Sequence, residues 1–230
     1  MAWKACGRKG LRRARRGGLL ITMTAPFGRI IRGLGVFALL ITPALCRGQC
    51  RLSFPHDSNP TTINDDDICN FHQVDRDAYR GGRPRPSAYA KLAALGIRTI
   101  VNLEESKHAN QERAAIEDLN RKLTPERRIN FISFPINSTE ISVTGVDAAR
   151  TQALFQQIRD APKPIFIHCY YGKDRTGAVL VLYRLARNEM SFEGAYQEAM
   201  HYRFDRLDKG LKRMVERYRD PVILKSLPQP

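Results

Sequence analysis

Residues 164–177 read PIFIHCYYGKDRTG and decide the fold. The first five residues are typical of a short strand buried on both faces of a sheet, and a helix is predicted from Thr176 onward. Ligands of α/β sheets bind where strands end, and a helix N-terminus offers unpaired N–H groups, so an anion is expected between the two. Cys169 and Arg175 bracket five residues, which lets backbone N–H groups surround one dianionic group. Gly172 permits the positive φ that such a turn needs.

Strand and helix patterns alternate along the rest of the chain. Strands are predicted at residues 71–74, 78–80, 98–103, 130–134 and 164–168, and helices at residues 87–95, 109–122, 144–160 and within 176–218, with breaks near Asn188 and at 208–210. This order predicts an α/β domain with a central, mostly parallel sheet flanked by helices, entered through a hairpin-like pair of strands. The sequence contains no internal repeats.

The residue types between the strand and the helix suit phosphoryl transfer. Arg175 offers a planar guanidinium that can bind two phosphate oxygens. Cysteine thiols at helix N-termini beside cations commonly ionise at neutral pH, so Cys169 is predicted to be a nucleophilic thiolate. Thr176 is a candidate to hydrogen-bond the sulfur. His168 either orders the loop or has an ordinary structural place.

The loop side chains leave some alternatives open. The predicted phosphate-binding residues are Tyr170, Tyr171, Gly172, Lys173, Asp174 and Arg175. Lys173 either adds a cation that favours polyanionic substrates or is a solvated surface charge. Tyr170 and Tyr171 either pack against the domain or line the mouth of the pocket.

The C-x5-R pattern between strand and helix resembles the signature of the protein tyrosine phosphatase superfamily. The GKDRTG ending is similar to the dual-specificity and phosphoinositide-directed branches, including bacterial and atypical dual-specificity members. NFHQVDRDAYRGGRP at residues 70–84 and LGIRTIVNL at residues 95–103 resemble the domain opening of the bacterial enzymes. The resemblance implies a dual-specificity phosphatase-like fold and hydrolysis of phosphomonoesters through a phosphocysteine intermediate at Cys169.

The general acid is where the sequence departs from the family pattern. The mobile acid loop of the family, with its Trp-Pro-Asp or similar element, is expected after the strand at residues 130–134. The segment there reads PINSTEISVTGVD, so its candidates are Glu140 and Asp147. Asp174 is the first choice, since the sequence fixes it next to Arg175, and its alternative role is to brace the loop.

Three functions compete. The first is a phosphatase acting on phosphotyrosine or dual-specificity protein substrates, with a phosphoinositide, inositol phosphate or lipid headgroup as the alternative substrate. The second is a phosphate-recognition module that binds phosphorylated partners without turnover. A thiol redox enzyme using the same loop would need a resolving cysteine, and Cys69 is poorly placed for that role.

Charge and cysteine usage exclude other classes. Residues 1–52 contain 11 Lys and Arg and no acidic residue, so only +4 of the net charge of +15 belongs to the remainder, and no nucleic-acid partner is expected. The five His residues lack the close spacing of zinc sites, so no metal and no cofactor is expected. An oxidising compartment would permit a bond between Cys50 and Cys69.

The basic N-terminal residues precede an apolar run, GLGVFALLITPALC at residues 33–46. This layout predicts a secretory signal peptide and an exported protein, periplasmic or secreted. The alternative is a membrane anchor at residues 28–46, and membrane contact is expected only if that segment stays uncleaved. The predicted organisation is a basic and apolar segment at residues 1–48, with 1–22 resembling an over-long start, a linker at 49–69, a phosphatase domain at 70–222 and a tail at 223–230.

Overall fold

The computed structural model describes residues 63–204 and 207–230. Its strands are β1 (His72–Gln73), β2 (Ala78–Gly81), β3 (Thr99–Asn102), β4 (Asn130–Ser133) and β5 (Ile165–His168). Its α-helices are α1 (Ala88–Ala94), α2 (Ser106–Asn120), α3 (Ala148–Asp160), α4 (Asp174–Ala186), α5 (Phe192–His201), α6 (Lys209–Arg217) and α7 (Pro221–Leu224). A 3-10 turn at Pro125–Arg127 and a π-helical turn at Glu140–Thr144 complete the described elements.

The strands form one sheet in the order β1-β2-β5-β3-β4. β1 pairs with β2 antiparallel, and the three remaining pairs are parallel. The predicted α/β class with a mostly parallel sheet and a hairpin-like opening is therefore confirmed. β5 lies between β2 and β3, so its carboxyl end is flanked by the segments that leave both neighbours.

The two faces of the sheet carry separate hydrophobic clusters. Alternate residues of β5 serve both, since Ile165 and Ile167 belong to one cluster and Phe166 belongs to the other. Leu92 of α1 and Ile116 of α2 pack in the Phe166 cluster, while α3 to α6 contribute to the larger one. Burial on both faces explains why β5 reads as a continuous apolar run.

The packed domain includes residues that composition assigns to a linker. Ile63 and Ile68 are buried in the Phe166 cluster. The Asn64 N–H donates to the Asp67 carboxylate, and the Asp67 N–H donates to the side-chain oxygen of Asn64. Lys91 Nζ of α1 lies 2.6 Å from the same Asp67 carboxylate. The ordered packing thus begins by Ile63, ahead of residue 70.

Helix α3 is shorter than predicted from residues 144–160. Gly145 has a φ of +71°, which ends the π-helical turn, and Asp147 then caps α3 by accepting a hydrogen bond from the Arg150 N–H. Val146, the first residue of the apolar spacing, therefore lies ahead of α3. The physical reason is the cap, since an N-terminal Asp satisfies an orphan N–H and fixes the first turn at Ala148.

The segment after β4 is held against α6. A Cβ on Gly210 would lie 2.8 Å from Gly145 N and closer still to the Glu140 carbonyl oxygen, so the two backbones meet where no side chain fits. Arg213 and Arg217 of α6 donate to the carbonyls of Val143 and Val146 at 2.8 and 2.9 Å. The π-helical turn is thus fixed to α6 by backbone contact and by two arginines.

The predicted export segment and Cys50 lie outside the described residues. Within residues 63–204 and 207–230, no helix has the length and apolar character needed to cross a bilayer.

Gly210→Ala is expected to lower the free energy of unfolding by about 1–3 kcal/mol, because a methyl group overpacks the contact between α6 and the π-helical turn. The matched control is Gly194→Ala on the exposed face of α5, where a Cβ would meet its nearest neighbour at 3.4 Å. That change is expected to raise the free energy of unfolding by about 0.5–1 kcal/mol through helix propensity. Urea denaturation of both variants measures the difference, and equal effects would contradict the proposed contact.

Candidate active site

Cys169 follows β5 at the carboxyl edge of the sheet. Its thiol is buried, with 3% of the residue exposed, and it forms no disulfide. Residues 170–173 turn the chain, and α4 begins at Asp174. The 169–175 loop therefore connects the central strand to a helix N-terminus, as predicted. A helix N-terminus carries the positive end of the helix dipole, so this arrangement suits an anion at the 169–175 loop.

The turn of the 169–175 loop is made at Gly172, whose φ is +67°. A Cβ there would lie 2.6 Å from Gly82 N and closer to the carbonyl carbon of Gly81. The Gly172 carbonyl accepts hydrogen bonds from Asn70 Nδ2 at 3.0 Å and from Arg80 Nη2 at 2.7 Å. Only glycine satisfies both the backbone angle and the close approach to the end of β2.

Arg175 is held by the segments that leave two neighbouring strands. Its Nη1 donates to the carbonyl of Leu103, after β3, at 3.2 Å and to that of Ile136, after β4, at 3.4 Å. The side chain is half-buried, and these two carbonyls fix one edge of its guanidinium. Bonds to backbone carbonyls orient the guanidinium, and no ion pair within residues 63–204 and 207–230 includes Arg175.

His168 is anchored by a buried carboxylate. Its Nε2 lies 3.0 Å from Glu112 Oε2, the same oxygen accepts from Asn102 Nδ2, and its ring stacks on Phe166. Burial acts to raise the pKa of Glu112, but the charge interaction and hydrogen bond with His168, together with the bond from Asn102, outweigh it and lower that pKa. An ionised Glu112 therefore fixes the residue before Cys169. This contact supports the loop-ordering alternative for His168.

Two tyrosines of the loop reach the surface. Tyr170 and Tyr171 are 44% and 37% exposed and contact each other edge to face, with ring centroids 4.4 Å apart. The Arg83 guanidinium lies over the Tyr170 ring at 4.6 Å, and Lys173 Nζ lies 5.1 Å from the Tyr171 ring centre. Arg83 also forms an ion pair with the buried Glu104. Exposed rings backed by cations thus lie next to Cys169 in the sequence of the loop.

The three acid candidates have different surroundings. Glu140 is 8% exposed, pairs with Arg150, and accepts a hydrogen bond from the Asn137 N–H at 2.9 Å. Asp147 serves as the cap of α3. Asp174 is half-buried in the first turn of α4, directly before Arg175. Of the three, Asp174 alone is placed at the loop by the backbone itself.

Thr176 lies in the first turn of α4, directly after Arg175. Thr176 is fully buried, and its hydroxyl makes no hydrogen bond to any residue that the structure describes, which leaves it available to a ligand or to the sulfur. Among residues 63–204 and 207–230, no group of three or more His, Cys, Asp or Glu side chains is arranged to hold a metal ion.

Residues 58–216 match a family model described as DSP-PTPase phosphatase fused to NAD+ kinase. The chain belongs to this family of dual-specificity-type tyrosine phosphatases. The matched region spans the sheet, the 169–175 loop and the helices through most of α6.

Curated relatives come from bacteria and plants. Dual specificity protein phosphatase TpbA of Pseudomonas aeruginosa is 23% identical over 138 residues, which is 59% of this chain and 56% of TpbA. Inositol diphosphatase DSP4 of Arabidopsis thaliana is 26% identical over 112 residues, 48% of this chain and 52% of its own. The chain spans about half the length of the curated relatives it matches.

Solved structures show the same fold. The crystal structure of P. aeruginosa TpbA aligns with a TM-score of 0.56 at 20% identity, covering 72% of this chain and 94% of that one. The catalytic domain of the PP-IP phosphatase SIW14 from S. cerevisiae aligns at 0.54 and 20% identity, covering 68% and 89%. At these identities the likeness supports the sheet and helix arrangement alone.

Sequence reasoning missed two buried charged residues of this site, Glu112 and Arg80. Glu112 lies between Ala109 and Ile116 at the helical spacing of the buried face of α2, a signal that was present in the sequence. Arg80 belongs to a strand whose four residues are all buried. Arginine is rarely buried completely unless it has a partner, so a charged residue in such a strand indicates a buried polar contact.

Gly172→Ala is expected to abolish binding of orthovanadate, because a side chain at this positive φ also collides with the end of β2. The control is Gly96→Ala, whose φ is +91° but whose Cβ would meet no heavy atom within 4 Å. That variant is expected to lose about 1–2 kcal/mol of stability and to keep its vanadate affinity. Calorimetric titration at a temperature where both variants are folded makes the comparison, and vanadate binding by the Gly172 variant would disprove the packing argument.

Proposed function

We propose that this chain is a phosphatase in which Cys169 attacks the phosphorus of a phosphomonoester. The sulfur forms a bond to phosphorus, the bond from phosphorus to the ester oxygen breaks, and that oxygen receives a proton from the general acid. A water oxygen then bonds to phosphorus, the bond from sulfur to phosphorus breaks, and the carboxylate left by the general acid takes the proton of the water. Inorganic phosphate leaves, and the sulfur returns as a thiolate. The observation that carries this proposal is the free, buried Cys169 at the end of β5, joined by a glycine turn to Arg175 in the first turn of α4.

Asp174 is the proposed general acid. Glu140 faces Arg150 and Asn137 and sits in a turn that α6 holds in place, so its carboxylate would have to leave an ion pair to reach the loop. Asp147 would have to give up the cap of α3. Asp174 needs no such movement because it adjoins Arg175.

The proposed substrates are phosphotyrosine or dual-specificity protein substrates. The exposed Tyr170 and Tyr171 rings beside the nucleophile offer flat apolar faces for a phosphorylated aromatic side chain. An inositol phosphate or phosphoinositide is the second candidate, favoured by the cations Lys173 and Arg83 at the same edge and by the inositol diphosphatases among the relatives. A phosphate-recognition module remains the non-catalytic alternative that turnover would exclude.

Export of the protein is proposed from the basic and apolar N-terminal residues. An oxidising compartment would permit the bond between Cys50 and Cys69 that the sequence suggests. Cys169 is free, so the proposed nucleophile stays available there.

The first test compares turnover with binding. Cys169→Ser is expected to abolish hydrolysis of an aryl phosphate and keep orthovanadate affinity, because the loop N–H groups and Arg175 remain. Arg175→Lys is expected to lose most of both, since an ammonium cannot make two parallel bonds. Profiling the wild type against phosphotyrosine peptides and inositol phosphates then selects the substrate class. A wild type that binds phosphopeptides and hydrolyses nothing would establish the recognition module instead.

The acid assignment is tested by leaving-group dependence. Asp174→Asn is expected to lose about 100- to 10,000-fold in kcat on an alkyl phosphate and far less on an activated aryl phosphate, because only the poor leaving group needs a proton. Its pH profile is expected to lose the basic limb. Glu140→Gln is the matched comparison and is expected to show equal, small losses on both substrates. A selective alkyl phosphate loss in Glu140→Gln would move the assignment to the segment after β4.

A further inference from the structure

Arg80 is a buried arginine for which none of the functions above accounts. It is 1% exposed in β2, and its guanidinium lies 3.9 Å from the centre of the Tyr202 ring. Nη2 donates to the Gly172 carbonyl, Nε has no hydrogen-bond partner, and no ion pair within the described parts of the chain includes Arg80. Burying a cation without a carboxylate is costly, so a compensating role is expected.

The side chain remains a cation in this environment. Desolvation lowers the pKa of Arg80 to about 10, and interactions with Tyr202, Glu198 and Cys169 oppose that shift. At neutral pH the guanidinium is therefore charged, and its hydrogen bond to the Gly172 carbonyl fixes that charge at the loop that carries Cys169.

We propose that Arg80 is a positioning residue for phosphoryl transfer, which holds the Gly172 carbonyl out of the phosphate site and places a fixed positive charge next to the nucleophile. This inference rests on the proposed phosphatase activity and adds to it a residue outside the C-x5-R motif.

Peptide geometry supports the first half of this role. In a trans peptide the C=O of Gly172 and the N–H of Lys173 point in opposite directions. While Arg80 and Asn70 bind the carbonyl on the β2 side, the Lys173 N–H points the other way and can join the N–H groups that face the phosphate. Reversal of this peptide would direct a carbonyl oxygen at the anion and remove one donor. Glycine at position 172 makes that reversal easy, so the turn needs to be held.

The positive charge of Arg80 is the second part of its proposed role. Asn70 and Arg80 bind the same oxygen, but only Arg80 is charged. The two residues therefore separate the hydrogen bond from the electrostatic effect. Loss of Asn70 weakens the hold on the carbonyl and leaves the charge beside Cys169, whereas loss of Arg80 removes both.

The test uses the 230-residue chain and three variants, Arg80→Met, Arg80→Lys and Asn70→Ala. Two measurements are made across pH: kcat/KM for para-nitrophenyl phosphate, and the rate at which iodoacetamide alkylates the Cys169 peptide, followed by mass spectrometry. The alkylation rate follows the thiolate fraction and needs no turnover. An inactive wild type would defeat the proposed function while the alkylation midpoints still test Arg80.

Arg80→Met is expected to lose about 10- to 100-fold in kcat/KM and to move the alkylation midpoint upward by about one pH unit, since a stabilising cation is gone. Arg80→Lys is expected to restore the midpoint and only part of the rate, because the charge returns without the planar fork. Asn70→Ala is expected to lose rate at an unchanged midpoint.

An unchanged midpoint in Arg80→Met, or an equal shift in Asn70→Ala, would overturn the proposal. Thermal unfolding verifies that each variant is folded at the assay temperature. If Arg80→Met does not fold, Arg80→Lys decides: a wild-type midpoint with reduced kcat/KM supports the role, and wild-type kcat/KM overturns it.

Discussion

The close approach between Gly172 and the end of β2 is the contact on which the site depends. The backbone of Gly172 meets the backbone of Gly81 and Gly82 there, so no space is left for a side chain on Gly172. The contact exists because β2 pairs with β5 in parallel, which brings both strands to the same edge of the sheet. The residues after β2 then pack against the loop that follows β5. Asn70 and Arg80 donate hydrogen bonds to the Gly172 carbonyl of that loop.

Buried charges on either side of β5 complete this arrangement. Glu112 approaches from α2 and fixes His168, which immediately precedes Cys169. Arg80 approaches from β2 and binds the turn itself. Fully satisfied polar groups specify one geometry in a low-dielectric interior, and incompletely satisfied ones cost stability. Three buried polar groups have no hydrogen-bond partner in the described structure: Arg80 Nε, His168 Nδ1 and the Thr176 hydroxyl. The loss of stability from unpaired polar groups is therefore concentrated where the chemistry is proposed.

The sequence predicted the elements whose signals are local. PIFIH, the loop spacing and the alternation of strands with helices were enough for the sheet class and for the position of Cys169 and Arg175. The missed features depend on residues far apart in the chain, since Arg80 meets Gly172 across 92 positions and Glu112 meets His168 across 56. The sequence predicts α3 from residue 144 because Val146 continues the apolar spacing of the helix, but α3 begins at Ala148. The contact between Gly145 and Gly210 and the Asp147 cap together explain why the chain turns there.

That same contact bears on how a proton could be delivered. In the family pattern a mobile loop after the fourth strand brings the acid to the substrate, but here the equivalent segment is joined to α6 by a glycine contact and by Arg213 and Arg217. Moving it would break both, and its carboxylate at Glu140 is already paired with Arg150. An acid at Asp174 avoids this cost because the helix that presents Arg175 presents it as well. Phosphate binding and proton delivery would then depend on one rigid turn, and the elements that hold that turn, Asn70, Arg80 and the end of β2, would govern both.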